Sequence, residues 1–343
     1  MQGQRSHPTR GTHHPLAGRS GQARRADAPA IRRHRVVKII HQPADLANGS
    51  RKACLAIGMF DGVHLGHQQV LRQAIEDSHR NEGRSIAVTF DRHPASVIAP
   101  DRTPALLQTR AQRLRAIESL GIDAALLIEF DTAFSRKPGA EFVRELADGF
   151  GAIHSICVGA NFTFGHRRDG NVGLLRTLGQ ALGFHVHGLQ AVSLDGQAVS
   201  STRIRAAVRT GHLDAAGQML GRTFAIEGTV VEGDRHGREL GFPTANLDTN
   251  GLALPPNGVY AAHARLGQAT HRSVLNIGLR PTLANPEPTL QVEAHLLDFD
   301  TDLYGQAMEI QLVERLRDEQ RFGSTDELAA QISRDIERAR TLF

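Results

Sequence analysis

The hydrophobic pattern changes its period once along this chain, near Gly221, and that change limits the fold more than any other feature. From about residue 52, apolar runs at 53–60, 85–90, 124–130, 155–159 and 185–192 alternate with helix-like segments near 67–80, 109–120, 139–149 and 172–182. In the first such segment Val70, Leu71, Ala74 and Ile75 recur at helical spacing before Gly83 ends it. This alternation predicts a parallel sheet with helices on both faces, binding ligands at the carboxyl ends of its strands. Beyond Gly221 the runs at 224–232, 258–266, 272–279, 290–299 and 307–316 are strand-like, separated by turns such as Pro255-Pro256-Asn257-Gly258. One helix follows, with Leu328, Ile332, Ile336 and Ala339 along one face of 325–341. The second half therefore reads as a small antiparallel barrel or sandwich with a terminal helix. The 343 residues are expected to form two domains, 36–217 and 222–343, each with its own core.

Composition decides which partners are excluded. A pI of about 9.6 suggests a polyanion binder, but residues 1–35 alone hold eight Arg and a single acid, Asp27, a net of +7. The remainder carries 32 basic and 35 acidic residues, a net of −3, so the basicity belongs to the leader. Residues 1–35 have no apolar core of a secretory signal and read as a disordered extension or a start placed too far upstream; an Arg-rich transit peptide is the alternative. Absence of Trp and the presence of only two Tyr disfavour a base-stacking nucleic-acid platform. No apolar run reaches the roughly 18 residues of a membrane span. A cytoplasmic protein with neither nucleic-acid nor membrane partners is expected, either a monomer or weakly self-associating. Cys54 and Cys157 each sit in an apolar run and read as buried, reduced strand thiols.

Chemistry concentrates first after strand 53–60, in Gly58-Met59-Phe60-Asp61-Gly62-Val63-His64-Leu65-Gly66-His67. Glycines let the backbone approach a phosphate, and the helix N-terminus behind them offers free N–H groups. His64 and His67 can face one anion from neighbouring positions. The same His-x-x-His spacing occurs in partial zinc sites, although no Cys and no obvious carboxylate partner is at hand to complete one, and in pairs of exposed helix histidines. Gly159-Ala160-Asn161 follows strand 155–159 at the same sheet edge. Ser200-Ser201-Thr202-Arg203-Ile204-Arg205 brings hydroxyls and guanidiniums to a helix start, suited to phosphates but also to a plain N-cap.

The second concentration is Gly233-Asp234-Arg235-His236-Gly237-Arg238-Glu239-Leu240-Gly241-Phe242-Pro243-Thr244-Ala245-Asn246. A hydroxyl and an amide oxygen at Thr244 and Asn246 suit Mg²⁺ beside phosphate oxygens, while spacing alone also allows an ordinary turn between barrel strands. In strand 290–299, Val292, Ala294 and Leu296 face one side and Gln291, Glu293 and His295 the other. Glu293 is either a solvated strand carboxylate or a general base for an attacking hydroxyl.

Together with Thr89-Phe90-Asp91-Arg92-His93-Pro94, the N-terminal segments resemble the nucleotidyltransferase domain of bacterial bifunctional riboflavin kinase/FAD synthetases. Arg92 and Ala198 depart from that family's usual Pro and basic residue. The run 237–247 is similar to the riboflavin kinase signature, as are Gly258-Val259-Tyr260, Asn276-Ile277-Gly278-Leu279-Arg280-Pro281-Thr282, Asp302-Leu303-Tyr304-Gly305 and the tail 316–322. The resemblance covers about residues 37–343. It implies a Rossmann-like N-terminal domain, a six-stranded Greek-key β-barrel with a terminal helix, and an enzyme that phosphorylates riboflavin to FMN and adenylylates FMN to FAD. It further implies that His64 and His67 act on the ATP phosphates beside Gly58, Asp61, Gly62 and Asn161, with Ser201, Thr202 and Arg205 on the departing pyrophosphate. On the kinase side it places Gly237, Thr244 and Asn246 at ATP and Mg²⁺, Glu293 at the riboflavin 5′-hydroxyl, and Arg317, Glu319 and Phe322 at the flavin. The competing expectations are a riboflavin kinase whose N-terminal half adenylylates another acceptor or is inactive, and a flavin carrier without catalysis.

Overall fold

The computed structural model describes residues 36–46, 51–233, 236–249, 251–282 and 285–343. The basic leader expected at 1–35, and Asp234 and Arg235 of the Gly-rich run, lie outside the described residues.

The first half is a six-stranded sheet of β1 (Lys38–Ile40), β2 (Ala53–Ile57), β3 (Arg84–Phe90), β4 (Ala124–Ile128), β5 (Ile153–Gly159) and β6 (His185–Leu189). The strands are parallel throughout and ordered β1-β4-β3-β2-β5-β6. Alternate residues of each strand feed opposite faces. Leu55, Ile57, Ile86, Val88, Ile156 and Val158 pack against α3 (Gly139–Phe150) and α4 (Val172–Leu182), through Phe142, Leu146, Leu175 and Leu178. Cys54, Ala56, Ala87, Ala125 and Cys157 pack against α1 (Leu65–Arg80) and α2 (Arg110–Ser119), through Val70, Leu71, Ala74 and Ile117. Both thiols are free and buried, and burial pushes the Cys54 pKa up to about 11, so it stays protonated.

Strand order positions the first site. The chain moves from β2 to β3 and β4 on one side, then returns to lay β5 on the other side of β2. The reversal opens a crevice beyond the carboxyl ends of β2 and β5, which run in register as Ala56 against Cys157. The strand expected over 53–60 stops at Ile57, because Phe60, Gly62 and Val63 take positive φ angles of 54°, 85° and 39° that a sheet cannot hold.

The second half is a closed antiparallel barrel of β7 (Ala225–Val231), β8 (Ala245–Asp248), β9 (Gly258–Leu266), β10 (Ala269–Thr282), β11 (Asn285–Leu296) and β12 (Ala307–Arg317), ordered β7-β8-β11-β10-β9-β12. Period-two patterning found five of these strands. It missed β8, whose four residues carry the Thr-x-Asn element and are too few to show an alternation. Along β9, Tyr260, Ala262 and Ala264 point into the barrel, while Val259 and Ala261 lie under α7 (Thr325–Arg340) with Ile336 and Ala339.

The halves do not have wholly separate cores. Between them lie α5 (Ser201–Arg209) and α6 (Leu213–Leu220). Their Ile204, Val208, Ala216, Met219 and Leu220 belong to the same apolar cluster as Ile226, Val230, Leu275 and Ile310 of the barrel. The expectation of one core per domain fails here because both helices turn their apolar faces to the barrel.

Candidate active sites

The loop from β2 to α1 builds the first site. His64 is the N-cap of α1, and its Nδ1 accepts the backbone N–H of His67 at 3.3 Å. The two imidazoles stack at 3.6 Å between centroids, 18° from parallel. Burial, reinforced by the positive charge of Arg222, pushes the His64 pKa down to about 4. Burial beside His64 holds His67 well below the usual histidine range. Both rings are therefore neutral at pH 7. His67 Nδ1 is buried with no hydrogen-bond partner, as is Gln69 Oε1 two residues on.

Asp61 and Arg205, both expected at the phosphates, first bind each other. Arg205 Nη2 donates to Asp61 Oδ2 at 2.6 Å and Nε donates to the Ala105 carbonyl at 2.6 Å. The Asp61 carboxylate also accepts the Leu107 N–H at 3.0 Å. Both side chains are buried, and a carboxylate taken out of water needs such partners. The pair consequently ties the β2–α1 loop to α5 rather than presenting two open charges. Ser201 completes the tie, donating to the Asp61 carbonyl at 2.9 Å, while Thr202 at the start of α5 is exposed. Gly58 follows β2 directly; a Cβ there would meet the Phe60 ring at 2.9 Å. Gly62 needs its positive φ and lies against Leu107. Asn161 is exposed in the turn after β5, which closes by Phe162 N–H donating to the Gly159 carbonyl at 2.9 Å.

Sequence reasoning passed over Arg113 and gave His93 no role. Arg113 is buried on α2 and donates to the Met59 carbonyl at 3.2 Å and to the Phe90 carbonyl, holding two strand ends together. The weak amphipathic pattern of α2 offered no signal for it. His93 Nδ1 accepts the Ala95 N–H at 3.1 Å, and burial followed by Arg205 lowers its pKa.

A cavity of about 350 Å³ between the barrel and α7 forms the second site. Gly237, Thr244, Asn246, Glu293, Arg317, Glu319 and Phe322 all line it, so residues spread over 85 positions of sequence converge on one space. Asn246 on β8 and Asn276 on β10 flank Glu293 on β11 in register. Gly237 is required by close approach: a Cβ would stand 2.5 Å from the Phe242 carbonyl and 3.1 Å from Thr244 Oγ1. Apolar walls come from Phe242, Val259, Val274, Leu328 and Ile332. Arg317 donates from Nε to both carboxylate oxygens of Asp335, at 3.0 and 2.9 Å, and lies 5.7 Å from the Phe322 ring centroid. Asp335 was not foreseen, although an acid three residues after Ile332, on the apolar stripe of α7, is a legible signal.

A third space of about 600 Å³ lies at the seam between α2 and the barrel. Its charged walls satisfy one another: Glu309 accepts from Arg265 Nη2 at 2.8 Å and Gln112 at 3.3 Å, and Arg115 pairs with Glu227 and Glu309.

Comparison with known proteins matches the two halves of the chain to two family models. The FAD synthetase family model matches residues 47–203, and the riboflavin kinase family model matches residues 220–343. The bifunctional riboflavin kinase/FMN adenylyltransferase of Escherichia coli K12 is 37% identical over 309 residues, covering 90% of this chain and 98% of that protein. The protein so named from Pseudomonas fluorescens is 38% identical over 293 residues, covering 85% and 93%. That of Bacillus subtilis is 32% identical over 315 residues, covering 90% and 98%. A crystal structure described as a macrolide-efflux protein from Streptococcus pneumoniae superposes with a TM-score of 0.74 at 27% identity, covering 89% of this chain and 99% of that one. Among the described residues of the present chain, no helix is long and apolar enough to cross a membrane.

Proposed function

This chain belongs to the bifunctional riboflavin kinase/FMN adenylyltransferases, and from that premise we propose which residues carry each reaction. Riboflavin phosphorylation is assigned to the cavity between the barrel and α7, within a domain of residues 222–343. Adenylyl transfer to FMN is assigned to the crevice at β2 and β5, within residues 36–217. The observation that carries the assignment is the convergence of Thr244, Asn246 and Glu293 with Arg317, Glu319 and Phe322 on one cavity of about 350 Å³, a size suited to a small-molecule ligand.

In the kinase cavity Glu293 takes the proton from the riboflavin 5′-hydroxyl as that oxygen attacks the γ-phosphorus of ATP and ADP departs. Asn246 and Asn276 stand on either side of Glu293 in register on the neighbouring strands. The apolar walls and Phe322 accept the flavin rings, and Asp335 keeps Arg317 aimed at their edge. Among the described residues no cluster of three or more His, Cys, Asp or Glu could hold a metal. The hydroxyl of Thr244 and the amide oxygen of Asn246 instead fit Mg²⁺, which keeps few protein ligands and completes its shell with water and phosphate. Such an ion, when bound, neutralises charge on the transferred phosphate.

In the transferase crevice a phosphate oxygen of FMN attacks the α-phosphorus of ATP and pyrophosphate leaves, with no covalent enzyme intermediate. Because His64 Nδ1 accepts the His67 N–H, the proton of the neutral ring sits on Nε2, where it donates to a phosphate oxygen. His67 adds a second donor, and the helix N-terminus stabilises the charge developing on the α-phosphate. Gly58, Gly62 and Asn161 shape the crevice, and Ser201 and Thr202 meet the pyrophosphate. Asp61 and Arg205 hold the loop to α5. Cytoplasmic location and the absence of a nucleic-acid partner belong to the same reading, supported by the charge of the chain outside its leader.

The test is product chromatography after incubation with ATP and Mg²⁺ and either riboflavin or FMN, run on the wild type and on Glu293→Ala and His67→Ala. FMN followed by FAD and pyrophosphate is expected from the wild type. Glu293→Ala is expected to lose FMN formation from riboflavin while retaining FAD formation from added FMN, and His67→Ala to form FMN from riboflavin but no FAD from either flavin. Loss in either variant of both FMN formation from riboflavin and FAD formation from added FMN rejects the division of labour.

A further inference from the structure

Arg222 lies in the short connection between α6 and β7. It falls inside the riboflavin kinase match and 19 residues beyond the end of the FAD synthetase match. Its guanidinium nevertheless serves the other half of the molecule. Nη1 donates to the Val63 and Leu220 carbonyls, both at 3.2 Å, and Nη2 donates to the Gly62 carbonyl. Gln68 supports the same arrangement, donating from Nε2 to Val63 at 3.0 Å and to Leu220 at 2.8 Å.

The Gly62 and Val63 carbonyls belong to the most constrained part of the loop. Gly62 has φ 85° and Val63, a β-branched residue, has φ 39°. A β-branched side chain in that region is strained and persists only where its surroundings over-determine it. Among the turn, loop and cap hydrogen bonds of the described residues, no backbone N–H donates to either carbonyl. The donors that hold them are the side chains of Arg222 and Gln68, and the next residue is His64.

We propose that Arg222 is a positioning residue for adenylyl transfer: the connection entering the kinase half fixes the Gly62–Val63 backbone, and thereby aims His64 and His67. This rests on the assignment of the crevice to adenylyl transfer. Arg222 does not line the kinase cavity, so the dependence runs one way. Adenylyl transfer needs this arginine and riboflavin phosphorylation does not.

The experiment compares full-length Arg222→Ala, Arg222→Lys and His64→Ala with the wild type, measuring FAD formation from FMN and FMN formation from riboflavin in the same preparations. Arg222→Ala should lose about 10- to 100-fold in kcat for FAD formation, equivalent to about 1.4–2.8 kcal/mol in the barrier. Its KM for ATP should change little and its kinase rate should not change. Millimolar ethylguanidinium should restore part of the lost rate in Arg222→Ala and none in His64→Ala. Arg222→Lys, which keeps a charged donor, should fall between alanine and wild type. A wild-type transfer rate in Arg222→Ala overturns the proposal, as does a loss that Arg222→Lys reproduces in full and ethylguanidinium leaves untouched. Undiminished FAD formation by His64→Ala overturns the crevice assignment itself.

Discussion

His64 Nδ1 and the backbone N–H of His67 are joined at 3.3 Å, so one side chain caps α1 and sets its own tautomer in the same contact. The capping and donor roles can be separated, because asparagine is as good an N-cap but carries no imidazole. His64→Asn should melt within a few degrees of the wild type and yet form FAD about 10²–10³-fold more slowly. His64→Ala should lose the same activity and about 0.5–2 kcal/mol of stability as well. Thermal unfolding beside a FAD-formation assay separates the two.

The low His64 pKa makes stability depend on pH. The unfolded ring takes up a proton near pH 6.5, whereas the folded ring resists until about 4. Its contribution is complete above pH 6.5 and is lost as pH falls from there towards 4. His67 and the half-buried His93 are shifted the same way. Wild-type melting temperature should drop between pH 7 and pH 4.5, and His64→Asn should show a shallower drop. Equal slopes would remove His64 from the account.

The buried Asp61–Arg205 pair links the loop to α5 at 2.6 Å. Asp61→Ala leaves a guanidinium in the interior without its counter-charge, and a loss of about 3–5 kcal/mol is expected. The double variant with Arg205→Met should recover part of that loss. Denaturant unfolding of the single and double variants measures the coupling.

Asp335 holds Arg317 through both carboxylate oxygens and lines the cavity proposed for riboflavin phosphorylation. Asp335→Asn should raise KM for riboflavin several-fold, because the guanidinium is then free to leave the Phe322 ring. KM for FMN in adenylyl transfer should stay constant. Steady-state kinetics on the two substrates checks this.

Glu293→Gln keeps the shape of β11 and removes the carboxylate proposed as the base. FMN formation should fall by about 10²–10⁴-fold while FAD formation from added FMN is retained. Parallel assays of both reactions test the pair of outcomes.

Much of this molecule is legible in its residue pattern. A change of hydrophobic period near Gly221 dictates a helix-covered parallel sheet followed by an antiparallel barrel, because period 3.6 and period 2 bury different faces. Glycine-rich turns beside His64, Thr244 and Asn246 mark where the backbone makes close approaches, since these depend on local residue type. Tertiary structure alone decided the rest. It paired Asp61 with Arg205, 144 positions apart, put Asp335 behind Arg317, and merged the faces of α5 and α6 with the barrel interior. It also brought Arg222 onto the carbonyls of Gly62 and Val63. A sequence records which side chains must leave water, but the partner that satisfies a buried charge is chosen by how distant segments cross, and local pattern does not encode that crossing.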